Sequence, residues 1–441
     1  MILYLIGYAV SFIAARLGWF LPSGLALMLG GFCLYWKDYK ASGNLIHLRG
    51  LFGLFFVGGQ GLSCLKLSRL QVPWSDITWL CFLLAVLAFD LAYEAAKRFL
   101  GPVPEPHWLE MTARGPRSPL WREKRLELWK YETPLFHAIG AVTLVSAAAF
   151  GAEAAIVGYV PFFVRGVPHA YSYFHVSGLH YLTVSCVLTP SLFVLYCMAS
   201  TDRKKGRGLC ALLLTLASLL IPVLCVSRFQ LILAVGMAVF TAVAVNRKIR
   251  VVHILLLGCF MVPAYVILTI ARSHDVAYLN GIFEMKSSTV PIFITQPYMY
   301  IANNYDNFNC LVRQLPAHTF GLRMLFPLWA LTGLKFLVPS LVAFPLYVDK
   351  EELTTLTLIY DAYYDLGVLG VVLFCGLLGA VCYVLVRELE RMENPIGYVF
   401  YAQMAMYMML SFFTTWFSNA ATWFYFAVTG AIYVYVGHRK G

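Results

Sequence analysis

The feature that most limits what this chain can fold into is a series of apolar runs long enough to cross a bilayer. They fall near 2–15, 18–36, 51–65, 77–95, 135–157, 179–199, 209–226, 229–245, 251–270, 360–386, 396–415 and 420–437. A helix needs about 20 apolar residues to span the hydrocarbon core, whereas barrel strands alternate over about ten. These runs do not alternate, so they specify helices. Composition agrees, with 60% hydrophobic and 12% charged residues over 441 positions and a mean hydropathy of +0.73. A soluble chain carries about a quarter charged residues. The reading is an all-α polytopic membrane protein with about 12 transmembrane helices. Segments 292–312 and 324–346 read as further spans, half-helices or surface helices; if both cross, the count is 14 and the orientation is unchanged. The first run starts at the N-terminus with a second close behind, so no cleavable signal peptide is expected. The 11 cysteines sit mostly in apolar runs without CxxC spacing and read as packing residues, giving neither a disulfide framework nor a zinc site.

Orientation follows from basic residues near span ends. The polar segments 37–50, 97–134, 200–208, 246–250, 387–395 and the C-terminal residues alternate so as to share one side, and they hold 22 of the 33 Lys and Arg. That side is expected to be cytoplasmic, with both termini inside. The net charge of +11 is then largely an orientation signal, and nucleic acid is a poor explanation for it. The expected division is a transmembrane scaffold over 1–270, an extracytoplasmic loop over 271–359 and C-terminal transmembrane helices over 360–441. The loop 97–134, with WREKRLELWK at 121–130, reads as an amphipathic helix on the anionic inner leaflet or as a docking site for a partner.

The informative charges are those on the outer side. Arg228 lies in a minimal turn between two spans; Arg272, His274 and Asp275 follow another span; Arg313, His318 and Arg323 fall within 11 residues. Ionisable groups near membrane depth are costly, so they tend to be paired or used. One reading is that the arginines snorkel to headgroups or pair with Asp275 and Asp306. The other is that they bind phosphate, because guanidinium is a planar fork that fits phosphate oxygens and stays charged. Without an acidic metal cage nearby, that second reading points to a pyrophosphate handled without metal or other cofactor, at the level of Arg228, Arg272 and Arg323. A polyprenyl-pyrophosphate-linked sugar is the natural ligand, its lipid lying between helices.

Aromatics fit a sugar as well. The stretches ITQPYMYIANNYDNF and IYDAYYD interleave rings with amides and carboxylates, which makes Tyr305, Asp306, Tyr360, Asp361, Tyr364 and Asp365 candidate sugar contacts. The interfacial aromatic belt accounts for some of these rings on its own. Asp361 and Asp365, four apart, project from one face of a helix start, where the dipole favours acids; their like charge is also a route to a general base. The histidines at 169, 175 and 180 are spaced by six and five, with no Cys or carboxylate joining them in the sequence, so contact with glycan or headgroup is expected rather than a metal. Asp-x-Asp, P-loop, GxSxG and HExxH patterns are absent, and the first outer loop, Arg16 to Pro22, has no acid.

The pieces SRFQLI (227–232), NNYDNF (303–308), HTFGLRMLFP (318–327) and Thr354–Leu358 leading to YYDLGVLGV (363–371) resemble bacterial oligosaccharide repeat-unit polymerases, the Wzy-type O-antigen or capsule polymerases. The resemblance is strongest over about 225–375. It implies a C-type glycosyltransferase-like fold in the bacterial inner membrane. The implied activity is polymerisation of undecaprenyl-pyrophosphate-linked repeat units at the outer face, with a chain-length regulator and a flippase as possible partners. It also implies that Arg228, Arg272 and Arg323, with Arg313, engage the donor pyrophosphate. By likeness to the related O-antigen ligases, His274 or His318 would serve in catalysis, with Asp275 a further candidate base. A ligase that hands the glycan to another acceptor and a lipid-linked oligosaccharide flippase are the rival readings.

Overall fold

In the computed structural model of the protein, residues 1–103, 128–164, 170–200, 205–246, 276–287, 289–389 and 391–438 are described. The described residues are helical with short connectors, and the only β pairing among them is a single bridge between Ser68 and Met285. Among the described residues, seven helices are long and apolar enough to cross a membrane: Asp76–Leu100, Trp129–Val157, Leu179–Ala199, Gly206–Leu224, Arg228–Asn246, Tyr360–Leu389 and Ala420–His438. The chain is therefore a multi-pass helical membrane protein. The other expected runs are helical in whole or greater part but short, broken or less apolar: Ile2–Arg16, Phe20–Ser42, Ile396–Met409, and Leu48–Cys64 with a π turn at Gly53–Val57. The expected span 251–270 and most of the amphipathic stretch 121–130 lie outside the described residues.

The chain divides into two compact units. The first is Met1–Pro102, Asp275–Arg387 and Tyr407–Thr422; the second is Val103–His274, Glu388–Met406 and Trp423–Gly441. By contact, Asp275–Arg387 groups with Met1–Pro102.

In the first unit, small residues let backbones approach. A Cβ on Gly24 would lie 2.6 Å from the Gly61 carbonyl oxygen, so these two helices meet glycine to glycine. The Asp76–Leu100 helix starts at Ser75, whose Oγ accepts the Thr78 N–H at 3.2 Å, and it carries Asp76 in its first turn and Lys97 and Arg98 in its last. Those are the signs that the helix dipole favours. Segment 292–312, left open by the sequence, is one helix, Ile292–Gln314, and its amides face inward. Asn304 Nδ2 donates to the Phe412 carbonyl at 2.6 Å, and Asn307 Nδ2 to the Leu353 and Thr355 carbonyls at 2.7 and 2.8 Å. Asn309 Oδ1 accepts the Ser75 N–H at 2.9 Å. The asparagines read as sugar contacts are therefore fasteners that satisfy connector backbone. Segment 324–346 holds the short helices Phe326–Leu331 and Leu334–Leu337 and exposes Phe336 and Leu337.

The second unit packs the 132–157, 179–199, 205–224 and 228–246 helices with parts of the two C-terminal ones. Ser146 Oγ donates to the Leu182 carbonyl at 2.9 Å, and Gln403 Nε2 donates to Thr429 Oγ1 at 2.6 Å. The turn into the Arg228–Asn246 helix carries a buried Val226 at φ 54°, a left-handed conformation that a β-branched residue adopts only under constraint.

Candidate functional site

The site is built where the long C-terminal helix of the first unit breaks. Leu366 (φ −136°) and Gly367 (φ 62°, ψ −143°) interrupt Tyr360–Leu389, leaving Tyr360–Asp365 as a separate helical piece. Only glycine takes that Gly367 conformation readily. A Cβ there would also press on His318 Nε2 at 3.0 Å.

The stretch 318–324 wraps this piece. Asp365 accepts the backbone N–H groups of Arg323 at 3.1 Å and Met324 at 2.8 Å, together with the Thr319 hydroxyl. The Phe320 N–H donates to the Asp365 carbonyl at 3.0 Å while Phe320 itself sits at φ 50°. So held, Arg323 donates from Nε to Asp361 Oδ1 at 2.6 Å, and Asp361 Oδ2 accepts from Ser418 Oγ. The guanidinium lies over the rings of Tyr364 (4.5 Å) and Tyr360 (5.8 Å), a cation–π arrangement. Among the described residues Asp361 is its sole ion pair, and its two Nη groups have no protein partner.

A cavity of about 340 Å³ opens against this group, lined on the polar side by Arg323, Asp361, Thr415, Ser418 and Asn419 and on the apolar side by Leu322, Phe326, Leu341, Val342 and Phe344. The apolar wall is tied down by the same tyrosines. Tyr360 Oη donates to the Tyr347 carbonyl at 2.8 Å, and Tyr364 Oη to the Pro345 carbonyl at 3.2 Å. A charged fork at one edge and an apolar wall opposite suit an amphiphile with an anionic head. The residues do not present the grouping of His, Cys, Asp and Glu that a metal needs, among the described residues.

The structure brings together His318, Arg323, Tyr360, Asp361, Tyr364 and Asp365. His318 Nδ1 lies 3.3 Å from the Tyr364 carbonyl, with its ring edge-on to Tyr363. Both acids serve as hydrogen-bond acceptors in this cluster, Asp365 for the 319–324 stretch and Asp361 for Arg323 and Ser418. Tyr305 and Asp306 are elsewhere, in the interior. Tyr305 Oη donates to the Phe56 carbonyl at 2.7 Å. Asp306 accepts from Lys66 Nζ, Ser63 Oγ (3.0 Å), Gln71 Nε2 (2.7 Å) and Trp74 Nε1 (2.8 Å). The burial of both residues corrects their reading as sugar contacts: neither surface is open. Arg313 is exposed in the last turn of its helix, a favourable place for a cation. Arg228 is half-buried at the first position of its helix in the second unit. Arg272, His274 and Asp275 lie outside the described residues.

Sequence reading missed Thr415, at the end of one expected span, and Ser418 and Asn419, in the connector before the next; the signal was the polar pair SN between apolar runs. It also missed Asp349, beside Asn307. Burial pushes the Asp349 carboxyl up to about 6, and the nearby Asp306 carboxylate adds to the rise.

No family model matches the chain, and no match was found among curated proteins or solved structures. The class is defined by the fold itself: an α-helical, multi-pass membrane protein with a cavity headed by an arginine–aspartate pair.

Proposed function

We propose that the chain is a metal-independent glycosyltransferase that polymerises undecaprenyl-pyrophosphate-linked oligosaccharide repeat units at the outer face of the bacterial cytoplasmic membrane. The observation that carries the reading is the cavity at Arg323, where a rigidly held guanidinium with two unengaged Nη groups faces an apolar wall. Pyrophosphate on a prenyl chain has both halves of that chemistry. The acceptor hydroxyl of one unit attacks the anomeric carbon of the chain carried by another, with inversion, and the carbon–oxygen bond to the pyrophosphate breaks. The developing charge on the leaving oxygen is met by a fixed donor, which needs no reorganisation at the moment of reaction. Because Asp361 neutralises Arg323, recognition here comes from directed hydrogen bonds rather than from net charge.

The proposed topology has support from ion pairs. Arg49 meets Asp38, on the segment 37–50 assigned to the cytoplasm, and Asp90 and Glu94, in the second half of the Asp76–Leu100 helix that runs toward that side. Lys66–Asp306, Lys350–Glu284 and Arg323–Asp361 join residues assigned to the outside. Among the described residues, no ion pair links the two assigned sides.

The test is reconstitution of purified protein in liposomes with the lipid-linked repeat unit, products being separated on a gel. A ladder that survives EDTA and collapses with Arg323→Ala is expected. Movement of the lipid-linked sugar between leaflets without a ladder would replace the polymerase with a flippase.

A further inference from the structure

The segment 320–338 is apolar in two directions, and the Arg323 cavity uses only one of them. Leu322 and Phe326, with Leu341, Val342 and Phe344 just beyond, line the cavity. Phe320, Leu325, Leu328, Phe336 and Leu337 are instead exposed on the surface, the first and last at 80% and 79%. Lys335 is the one charge in 324–346, and its ammonium lies 4.9 Å from the Phe336 ring centre and 6.0 Å from that of Phe326. Surfaces that face water seldom collect so many large apolar side chains in so short a stretch.

The depth of this segment follows from the helix it is tied to. From Leu366 to Val386 the Tyr360–Leu389 helix carries no charge, and those 21 residues match the length that crosses the hydrocarbon core. Arg387 and Glu388 close the stretch at one end. The break at Leu366–Gly367, with Asp365 before it, closes the other. Leu366, Leu369, Leu373, Leu377, Val381 and Val384 are exposed at spacings of three and four, so they form one stripe turned to lipid. The 318–324 stretch is fastened where that stripe ends: the N–H groups of Thr319 and Phe320 donate to the Tyr364 and Asp365 carbonyls at 3.3 and 3.0 Å. The Phe320 backbone therefore lies beside Leu366, at the edge of the hydrocarbon core. It is held there at φ 50°, a strained conformation for an aromatic residue, while its ring gains little packing from the protein.

We propose that 320–338 is seated in the bilayer interface at the level of the Leu366–Gly367 break, with Phe320, Phe336 and Leu337 among the acyl chains. The bilayer then supplies the apolar surroundings that the protein withholds from these rings, and Lys335 reaches the phosphate groups from an apolar base. Arg323, within the same segment, stands at headgroup depth, where the head of an amphiphile already lies. The seat does not depend on which reaction the cavity serves.

The test uses full-length protein in liposomes of phosphatidylethanolamine and phosphatidylglycerol, with one environment-sensitive fluorescent amino acid introduced by codon suppression. It is placed singly at Phe320, Phe336 or Leu337, at Leu377 in the middle of the lipid-facing stripe, and at the exposed Glu351. The quenchers are lipids brominated near the top or near the middle of the acyl chain, and aqueous iodide. At Phe320, Phe336 and Leu337 the shallow bromine should quench more than the deep one, and iodide several-fold less than at Glu351. Leu377 should show the opposite order of bromine depths, which also reports that the protein is inserted. Iodide quenching at the three segment positions equal to that at Glu351, without an effect of bromine, would overturn the seat. So would quenching by neither, the mark of a protein surface over the patch, or a preference for deep bromine, the mark of a segment that crosses. Three positions guard against one replacement that disturbs its surroundings. No substrate is added, so failure of the ladder assay would leave the seat standing.

Discussion

Asp306 and Asp361 are the same side chain solving the same problem in two different settings. Each is a buried carboxylate in the first unit, each faces one cation, and each is completed by neutral donors. Around Asp306 the solution is closed. Lys66, Ser63, Gln71 and Trp74 surround it, and the Lys66 side chain is only 4% exposed. Around Asp361 it is left open, because Arg323 spends one nitrogen on the acid and Ser418 supplies a single hydroxyl, with a cavity of about 340 Å³ beyond. A lysine ammonium can be enclosed by one acid and a ring, whereas a guanidinium has donors left over after one contact. The pair at Asp306, with its donors consumed, is framework; the pair at Asp361, with donors left over, borders a cavity.

The largest expected effect breaks the closed pair. Asp306→Ala leaves Lys66 charged and buried, which costs about 3–5 kcal/mol. Loss of monodisperse protein after detergent extraction is the expected outcome on size-exclusion chromatography. Next comes the open pair. Arg323→Ala should lower the rate of chain extension on the order of a hundredfold or more, the scale of deleting one fixed donor at a developing oxyanion. Because the Asp361 it leaves retains Ser418 and borders the cavity, the midpoint of thermal unfolding should move far less than in Asp306→Ala. Arg323→Lys should not restore activity, since an ammonium cannot hold Asp361 and present a second edge.

A third carboxylate sharpens the contrast, because Asp349 lacks a dedicated cation and its buried Oδ2 has no hydrogen-bond partner among the described residues. Its folded pKa, raised from 3.8 to about 6, means that the native state binds the proton more tightly than the unfolded chain. Stability contributed by that proton is present at low pH and is lost as pH rises from about 4 to 6, after which the dependence is flat. Asp349→Asn should therefore stabilise the protein at pH 7.5 by about 1–3 kcal/mol, with the gain vanishing near pH 4, as read from unfolding midpoints across pH. The smallest effect is Ser418→Ala, which removes one donor from Asp361. A loss of about 1 kcal/mol, or a fewfold in rate, is expected.

The helical membrane class was legible because its cause is local: apolar runs of spanning length specify helices wherever they occur. The pairing of Arg323 with the acids at 361 and 365 was legible only in part. The sequence marked each residue as an outer-side polar group, but the break at Leu366–Gly367 that turns Tyr360–Asp365 toward the 318–324 stretch is a tertiary event with one weak local sign, the glycine. The run NNYDNF misled for a physical reason. An amide that binds a sugar hydroxyl and an amide that satisfies a connector carbonyl are the same residue type, and only the fold of 349–355 and 410–412 shows that these satisfy backbone. The Glu153 carboxylate that meets His180 Nδ1 at 3.1 Å, and so does join the histidines, was hidden by a separation of 27 positions in the chain, the acid sitting at the end of the preceding helix rather than within the loop.

The most direct test of the open-pair claim is equilibrium binding of undecaprenyl pyrophosphate and undecaprenyl monophosphate to purified wild-type protein and Arg323→Ala in the same detergent, by native mass spectrometry. The expected result is tighter binding of the pyrophosphate by the wild type, at least tenfold weaker binding of it by Arg323→Ala, and an unfolding midpoint close to that of the wild type. Equal affinity of the two proteins for the pyrophosphate would contradict the assignment of Arg323 as its recognition group.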